Sequence, residues 1–401
     1  MEKLNRNPIR SKKFLVLSII LIIGLFSSLS FIYLFNIVKE DNNWNNQIDY
    51  LSSTNLNLEK WYNQTGRVCQ NIAIDSNDDI IVAGTINGDS GNLFLIKFSN
   101  KTKEHIWNKT LSYTGYYSTP LAIDSLDNIY LAGIELNNLC LIKFNTNGTQ
   151  QWIQKWEAGS LDNVLGITID SNDSIYLVGR KHVANDDFFI AKYTNLGVRE
   201  WYVTWGGNYH DYGTSIGLDS FGNIYVTGYT RSYGEGGADL CLLKLDPTGN
   251  IIFQNTWGSK NEEIGIALAV DSNNQIYIAG IKMSNTIPYD LVLLKFLNDG
   301  SVIWQKQWGD VSNDRCYDIA LNSSGYVHVI GRSLYYDTHD SKIYVLGYDW
   351  NGNLVKQGSW NTTQEDEGHA IIFNSQDEMF IGGKSKRENS TIWDMVLLSE
   401  I

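Results

Sequence analysis

One class of residue recurs at a spacing that could create a binding site. Acidic side chains stand eight residues before a repeated Asp or Asn in five similar segments, at Asp162, Asp211, Glu263, Asp314 and Asp366. Carboxylates gathered around one opening would attract a basic ligand or a cation, and Ca²⁺ is the ion that they could hold. The alternative, which we favour, is that each acid caps its own turn, since a position filled in most repeats usually serves the repeat. No cofactor is predicted beyond this Ca²⁺ hypothesis.

Four variable segments between the repeated motifs are rich in Tyr and Arg. Both side chains suit recognition of a protein or a glycan, because they combine a flat apolar surface with polar groups. The alternative is that they only decorate the surface of a chain with 23 Tyr. The candidate ligand-binding residues in these segments are Arg180, Tyr229, Arg231, Tyr233, Tyr335 and Tyr336.

The sequence contains none of the common catalytic or metal-binding motifs. The six His form no His-Glu-x-x-His pair, and there is no Cys-x-x-Cys, Gly-x-Ser-x-Gly or phosphate-binding loop. Asp75, Asn77 and Asp79 imitate the start of a Ca²⁺ loop, but Ile80 replaces its Gly and Ile86 its Glu. No catalytic residue is therefore predicted. The four Cys occupy apolar runs or non-adjacent repeats and are predicted to be buried and unpaired.

Internal repetition indicates which elements must position these residues. One segment occurs seven times, for example as LAIDSLDNIYLAG from Leu121 and IGLDSFGNIYVTG from Ile216. Its anchor residues are Asp75, Asp124, Asp170, Asp219, Asp271, Asn322 and Asn374, at intervals of 46–52 residues. A glycine lies nine residues after every anchor, at Gly84, Gly133, Gly179, Gly228, Gly280, Gly331 and Gly383.

Each repeat predicts four strands. An apolar run precedes the anchor, and a β-rich run follows the Asp-Ser turn, whose Asp side chain can accept backbone N–H bonds. A third strand such as DLVLLKF from Asp290 and a fourth such as VIWQKQW from Val302 complete the unit. Four strands in about 50 residues, apolar enough to be covered on both faces, are typical of a propeller blade.

The two ends of the repeat array predict how the ring closes. Trp61 lies 14 residues before the first anchor, where later repeats place the Trp of a fourth strand, and no first three strands precede it. The last repeat ends at DMVLLSEI, without a fourth strand. The N-terminal strand is therefore expected to complete the C-terminal blade. The predicted fold is an all-β, seven-bladed β-propeller of four-stranded antiparallel blades over residues 57–401, preceded by one transmembrane helix.

The repeat is similar to a known one. The pattern W-G-G…D…I-A-x-D-S-x-G-N-I-Y-V-T-G…D-L-x-x-x-K resembles the SBBP-type repeat of bacterial and archaeal seven-bladed propellers, and WGGNYHDYGTSIGLDSFGNIYVTG from Trp205 matches it best. Repeats six and seven depart from the pattern, with Asn at the anchor and Gly347 or Ser399 in place of the strand-three Lys. The resemblance implies a cell-surface or secreted scaffold and brings no general catalytic machinery.

The N-terminal 56 residues predict where the propeller lies. A basic stub (1–13) precedes residues 14–38, which carry no charge and are long enough to span a bilayer as a helix, and a polar linker (39–56) follows. Positive charge before the span predicts a cytoplasmic N-terminus and a single-pass protein of the cell membrane, with the propeller outside. A cleaved signal peptide is the alternative. The chain after residue 38 has a net charge of −17, which argues against nucleic-acid binding.

Strand alternation predicts two unlike faces. The loops from strand four to strand one and from strand two to strand three share one face, the loop-rich face, and the other face holds only tight turns. The linker enters from the tight-turn face, so we expect the loop-rich face to point away from the membrane. The leading hypothesis is a membrane-anchored extracytoplasmic scaffold that binds a protein or glycan there. The alternative is a propeller enzyme, a lyase, glycosidase or quinoprotein-like dehydrogenase, with a site at the channel mouth.

Overall fold

The computed structural model describes residues 35–39, 54–56 and 58–400, except for short gaps at 89–90, 115–117, 136–137, 158–161, 183–184, 284–288, 310–311, 336–339 and 363. All regular elements in these residues are β-strands, and they form seven four-stranded antiparallel blades in chain order. The predicted seven-bladed propeller is therefore confirmed. A single backbone pair, Thr114 with Ile134, joins the sheets of blades one and two.

Strand one of each blade is innermost. These strands are β4 (Arg67–Ile74), β8 (Leu121–Ile123), β12 (Asn163–Ile169), β16 (Asp211–Leu218), β20 (Glu263–Val270), β24 (Asn313–Leu321) and β28 (Asp366–Phe373). The second strands are β5 (Ile80–Ile86), β9 (Ile129–Glu135), β13 (Ile175–His182), β17 (Ile224–Thr230), β21 (Ile276–Lys282), β25 (Val327–Leu334) and β29 (Met379–Lys386).

Strands three and four lie successively further out. The third strands are β6 (Asn92–Phe98), β10 (Asn138–Phe144), β14 (Asp186–Tyr193), β18 (Asp239–Leu245), β22 (Asp290–Phe296), β26 (Ser341–Tyr348) and β30 (Trp393–Glu400). The fourth strands are β7 (His105–Thr114), β11 (Gln150–Glu157), β15 (Arg199–Trp205), β19 (Ile251–Gly258), β23 (Val302–Trp308), β27 (Leu354–Trp360) and, for blade seven, β3 (Leu58–Thr65).

The N-terminal strand β3 runs antiparallel to β30, with Leu58 opposite Glu400 and Thr65 opposite Asp394. It occupies the place of a fourth strand in blade seven. That the ring depends on this strand for its stability stays a prediction.

Two short strands precede β3. The backbone of β1 (Phe35–Lys39) pairs in parallel with β19, and that of β2 (Thr54–Leu56) pairs in parallel with β27. Residues 35–38 of the predicted membrane span lie in β1, and residues 14–34 lie outside the described residues. Within the described part of the chain, no helix has the length and apolar character needed to cross a bilayer. The membrane span therefore stays a prediction.

The hydrophobic core is divided into seven clusters, each between two successive blades. One of them packs Ala370 and Phe380 of blade seven against Ile72 and Phe94 of blade one. Strands two and three are buried on both faces, and all seven residues of both β21 and β22 are buried. This burial explains why these strands are almost continuously apolar. The four cysteines are buried and form no disulfide bond, as predicted.

Each anchor carboxylate caps the turn between strands one and two. Asp219 Oδ1 accepts the backbone N–H groups of Phe221 and Asn223, at 2.9 and 2.8 Å. The same pair of bonds is made by Asp75, Asp124, Asp170 and Asp271 in their blades. The turn chemistry read from the sequence is therefore correct, because it depends only on residues within four positions of the anchor.

A belt of hydrogen bonds links these turns from blade to blade. The serine after the anchor donates its backbone N–H and its hydroxyl to the acid three residues after the anchor of the next blade, as Ser76 does to Asp127 at 2.9 and 2.6 Å. Ser375 of blade seven makes the same bonds to Asp78 of blade one, at 2.9 and 2.7 Å. The acceptor residue has a positive φ, for example 63° at Asp78, which Asp and Asn tolerate better than most residues.

A β-bulge interrupts six of the seven innermost strands at one position, five residues before the anchor. In blade four, Gly213 pairs with Gly228 and Ser215 pairs with Thr227, so that Thr214 is the extra residue. A Cβ atom on Gly228 would lie 1.8 Å from the carbonyl oxygen of Tyr212. The repeated glycine is thus required because the bulged strand passes directly over it.

Candidate functional site

The innermost strands of all seven blades enclose a central channel with a cavity of about 680 Å³. The extra residue of each bulge lines this cavity, because a bulge turns its side chain away from the sheet. These residues are Gln70, Leu165, Thr214, Ile266, Tyr317 and His369.

The described lining of the channel is strongly asymmetric. Blades one to five contribute only uncharged residues, whereas blades six and seven contribute all the ionisable ones: Arg315, Tyr317, Asp318, Arg332, Glu367, His369 and Lys384. Arg315 and Glu367 lie near the start of their innermost strands, and Arg332 and Lys384 directly follow the repeated glycine. These positions place the cluster, which we call the channel cluster, at the loop-rich mouth.

Glu367 is the centre of the channel cluster. Its carboxylate accepts the Arg332 guanidinium, and it lies 3.1 Å from His369 Nε2, 3.4 Å from Lys384 Nζ and 3.3 Å from the Tyr317 hydroxyl. Burial by itself would raise the pKa of Glu367, but the hydrogen bond and charge of His369, with the charges of Lys384 and Arg332, hold it well below its usual range. Glu367 is therefore ionised and compensates part of the surrounding positive charge.

His369 has both ring nitrogens engaged. Its Nδ1 lies 2.9 Å from the carbonyl oxygen of Cys69, which can only accept, so this nitrogen carries a proton. Its Nε2 lies 3.1 Å from the Glu367 carboxylate. Both ring nitrogens of His369 are therefore occupied by contacts within the protein.

Arg315 has no carboxylate partner within the described residues. Its guanidinium lies 4.5 Å from the ring centre of Tyr289, and its buried Nε has no hydrogen-bond acceptor. The Nε of Arg332 is likewise buried without an acceptor. An unpaired donor on a half-buried guanidinium is costly, so Arg315 and Arg332 keep unused hydrogen-bonding capacity beside the channel.

Asp318 has a structural role in the same wall. Its Oδ2 accepts the backbone N–H of Ile371 in blade seven at 2.9 Å, much as Ser215 accepts that of Leu268 in blade five. Burial raises the pKa of Asp318 to about 7, although the backbone N–H groups of Ile371 and Ile319 oppose this rise. Asp318 is therefore partly protonated near neutral pH and contributes less than one full negative charge to the channel.

The five predicted acids lie on the loop-rich side, but they face their own loops. Asp211, Glu263, Asp314 and Asp366 are completely buried and Asp162 nearly so. Asp211, Glu263 and Asp366 each accept the backbone N–H of the residue four positions earlier, at 2.9, 2.9 and 2.6 Å. Asp162 accepts the N–H of His182 at 2.7 Å, and Asp314 accepts the hydroxyl of Ser312 at 2.9 Å. This geometry favours the capping interpretation over a ring of carboxylates open to a ligand.

No group of three or more His, Cys, Asp or Glu side chains within the described ranges is placed to hold a metal ion. Two buried acids do meet near Gly258, where the Asp239 and Glu263 carboxylates lie on either side of the space that a Cβ would fill. Burial and the neighbouring Glu263 raise the pKa of Asp239 to about 7. This raised pKa favours a protonated Asp239 near neutral pH, and Ca²⁺ binding stays a hypothesis.

The structure separates the predicted Tyr and Arg residues into unlike groups. Arg180 donates to the hydroxyl of Tyr212 at 3.3 Å, and Tyr212 stacks on Tyr229 with ring centres 4.8 Å apart. The candidates Arg180 and Tyr229 are thus connected through Tyr212, a residue that was not predicted. Arg231 pairs with Glu262 at the surface. Tyr233 donates to the carbonyl oxygen of Gly206 and packs on Trp205.

The two remaining candidates lie in blade six. Tyr335 accepts a hydrogen bond from Lys342 at 3.3 Å, and Tyr336 lies outside the described residues. The predicted Tyr and Arg residues therefore do not converge on one pocket, and none of them lines the described channel.

The sequence reasoning missed the channel cluster. Six of its seven residues occupy three repeat positions, which lie seven and five residues before the anchor and ten residues after it, and Asp318 lies four residues before its anchor. Most other blades place uncharged residues there, such as Thr85, Thr214 and Ile266, whereas blades six and seven place Arg, Tyr, Glu, His and Lys. A comparison of the repeats position by position would have shown that these two blades are exceptional.

Comparison with known proteins agrees with the fold. A family model described as a beta-propeller repeat of the SBBP type matches residues 196–234. The regulatory protein FlaEY of Caulobacter vibrioides is 24% identical over 113 residues, a match that covers 25% of this chain and 12% of that protein. A crystal structure of a protein from Lactobacillus plantarum superposes with a TM-score of 0.50 at 13% identity, over 74% of this chain and 86% of the other. The chain is thus a seven-bladed β-propeller that carries an SBBP-type repeat.

Proposed function

We propose that this protein is a membrane-anchored, extracytoplasmic β-propeller that binds an acidic glycan at the loop-rich mouth of its channel. The uncharged segment 14–38 and the basic residues before it support the anchor and its orientation. The propeller fold is compatible with a binding scaffold, since it holds loops and channel residues on a rigid frame.

The charge of the channel cluster is the observation that supports an acidic ligand. The whole chain has a net charge of −13, but the channel cluster contains three Arg and Lys residues and only one fully ionised carboxylate, Glu367. The cluster also contains His369, both of whose ring nitrogens contact protein oxygen atoms. The unpaired donors of Arg315 and Arg332 point to a carboxylate or sulfate group, which a guanidinium can bind with two parallel hydrogen bonds.

The shape of the site favours a glycan over a folded protein. A cavity of about 680 Å³ is in the range that holds a small ligand, and the uncharged wall from blades one to five can contact the neutral part of a sugar. A folded protein could only reach the mouth, whereas the end of an acidic glycan can enter the channel.

The test is calorimetric titration of the full-length chain in a non-glycosidic detergent. The ligands are two matched pairs, 3′-sialyllactose with lactose and digalacturonate with its methyl ester. We expect binding of at least one acidic member and about 10–100-fold weaker binding of its neutral counterpart, as expected for the loss of one charged hydrogen-bonding group.

A pair of variants connects binding to the site. Arg315→Met removes a guanidinium that has no carboxylate partner among the described residues, so we expect the fold to persist and affinity for the acidic glycan to fall about tenfold or more. Arg199→Met removes the same charge from the exposed outer strand β15 and should leave the affinity unchanged. Equal affinities for acidic and neutral sugars, or an unaltered affinity in Arg315→Met, would refute the proposal.

The enzyme alternative has one specific observation in its favour, which is the convergence of Tyr317, Asp318 and His369 on the channel. A lyase would need a free base there to take the proton next to a uronate carboxylate. His369 is engaged at both nitrogens and Tyr317 donates to Glu367, which favours binding over catalysis. The ultraviolet absorbance of an unsaturated uronate, followed during incubation with polygalacturonate, would reveal elimination.

The anchor is tested by topology mapping. In bacterial spheroplasts that express the chain with an N-terminal epitope tag, external protease should digest the propeller and spare the tag. A variant that lacks residues 14–38 should be recovered in the soluble fraction. Protection of the propeller, or retention of this variant in membranes, would contradict the proposed orientation.

A further inference from the structure

The belt of hydrogen bonds between the tight turns is broken at the interface of blades five and six. Five described turns donate from the Ser after the anchor to an Asp or Asn of the next blade, such as Ser220 to Asn274 at 2.8 Å. Ser272 of blade five faces Gly325 instead, so its backbone N–H and hydroxyl lack this acceptor. A groove of about 450 Å³ lies at this break, on the face opposite the channel mouth.

Trp350 forms one wall of this groove with its side chain 66% exposed. It lies in the turn between strands three and four of blade six. The corresponding position in blades two to five is Thr146, Asn195, Pro247 and Asn298. An exposed indole at a position that elsewhere holds small or polar residues has no evident structural purpose. Its apolar surface is available to stack on a ligand.

The backbone of the Trp350 turn is held firmly in place. The carbonyl oxygen of Trp350 accepts the indole N–H of Trp304 at 3.0 Å and the ammonium of Lys295 at 3.2 Å. Asp349 caps the turn by accepting the N–H groups of Asn351 and Asn353, at 2.9 and 2.8 Å. The indole is therefore presented on a preorganised turn, which lowers the entropic cost of binding.

Apart from Trp350, Tyr277 and Ile303, the side chains that line the groove are polar and close to neutral in total charge. The side-chain amides of Asn273 and Asn351 face it and make no hydrogen bond within the described residues, and each can both donate and accept. Asp271 and Lys295 also line the groove with opposite charges. An aromatic platform flanked by free amides and hydroxyls fits a ligand with many hydroxyl groups and no net charge.

We propose that the groove between blades five and six is a second ligand site, in which a neutral mono- or disaccharide unit stacks on Trp350. Its hydroxyl groups bond to Ser272, Asn273 and Asn351. The site is independent of the channel, because it lies on the other face and shares no lining residue with it.

The first test titrates the full-length chain with neutral cello-, malto-, manno- and chito-oligosaccharides and follows tryptophan fluorescence. Binding of one series should shift the emission of Trp350. Trp350→Ala should weaken this binding about tenfold or more, while Trp350→Phe retains part of it. Phe221→Ala removes another exposed aromatic residue, 71% exposed on the same face, and should have no effect.

The second test restores the missing link of the belt. Gly325 has a φ of +77°, and Asp occupies the same position at 60–63° in four other blades, so Gly325→Asp is sterically compatible. We expect it to cap Ser272, raise the melting temperature and abolish saccharide binding by filling the groove. Gly222→Asp restores the equivalent link between blades three and four and should stabilise the protein without affecting binding.

Two results would overturn the second site. One is the absence of binding by all four neutral series, and the other is binding that survives both Trp350→Ala and Gly325→Asp. Loss of acidic-glycan binding in Arg315→Met has no bearing on this groove, so failure of either site can be told apart from failure of the other.

Discussion

The glycine that ends strand two of every repeat gives the sharpest prediction about how this chain folds. In Gly228→Ala the new Cβ would lie 1.8 Å from the carbonyl oxygen of Tyr212 and 2.9 Å from its carbonyl carbon. Such contacts are essentially never shorter than 3.0 Å, so the bulged strand β16 must move by at least the remaining 1.2 Å. Both clashing atoms belong to the backbone, and no side chain can rotate to relieve the contact.

The expected cost follows from this displacement. Forcing one extra carbon into a packed region typically costs 1–3 kcal/mol, and a clash with backbone lies at or above the upper end, at about 3 kcal/mol. Unfolding entropy is about 2.1 cal/mol/K per residue, or roughly 0.7 kcal/mol/K for a propeller of this size. Gly228→Ala should therefore lower the melting temperature by about 4 °C or more.

Gly217→Ala is the matched control in the same blade. Its new Cβ would meet only side-chain atoms, the Leu268 Cδ1 methyl at 2.7 Å and Val270 Cγ2 at 3.4 Å. Leu268 can change rotamer, so the free energy of unfolding should change by less than about 1 kcal/mol. Differential scanning calorimetry of the two variants decides the matter. Equal melting temperatures would refute the argument that close approach of the bulge requires the repeated glycine.

Three further predictions concern charge and ring closure. Glu367→Gln leaves the surrounding cations without their carboxylate and should lower the free energy of unfolding by about 3 kcal/mol in chemical denaturation. The control, Glu262→Gln at an exposed ion pair, should lower it by less than about 1 kcal/mol. Similar losses in the two variants would contradict the central role of Glu367. The pKa of Asp318 is raised to about 7 in the fold, so its stabilising contribution is complete below the unfolded pKa of about 4 and is lost as the pH rises through 7. Asp318→Asn should therefore flatten the fall in melting temperature between pH 5 and pH 8, and an unchanged profile would show that Asp318 is ionised throughout. Deleting residues 57–66 removes the strand paired with β30 and should sharply lower the melting temperature, while a deletion of equal length at 41–50 should not; unchanged melting would show that the ring does not need this strand.

The channel cluster shows how a repeat protein can acquire a singular site. In six blades a bulge at the same repeat position places one side chain in the channel, so a change at that position alters the lining without disturbing the blade. Blades six and seven differ from the others at this position, because they carry Tyr317 and His369 at the bulges. They are also the repeats that depart most from the SBBP pattern, with Asn322 and Asn374 at the anchors.

The groove at Trp350 arises in a related way. Replacing one acid by Gly325 removes a link of the belt and leaves space between two blades. The same replacement at Gly222 lies beside Pro247, which offers no aromatic surface. A gap in the belt therefore creates a candidate site only where a neighbouring turn supplies a suitable side chain.

The blade architecture could be predicted from the sequence because its signals are local. The anchor Asp bonds to groups within four residues, and alternation of apolar runs with tight turns defines the four strands of each repeat. The capping role of Asp211 and Glu263 is local for the same reason, since their partners lie four residues away. These features need no knowledge of the distant chain.

The ligand sites depended on tertiary structure. The bulge turns residues 317 and 369 into the channel, although simple strand alternation does not indicate which side chains face it. Glu367 meets Arg332 of the neighbouring blade six across 35 residues, and His369 meets the carbonyl oxygen of Cys69 in blade one across 300, so packing between blades brings them together. The seven blades and their turns can therefore be predicted from local sequence, because they depend on contacts between near neighbours. Which charged residues converge is visible only in the folded ring, because their positions depend on how the blades are arranged around the channel.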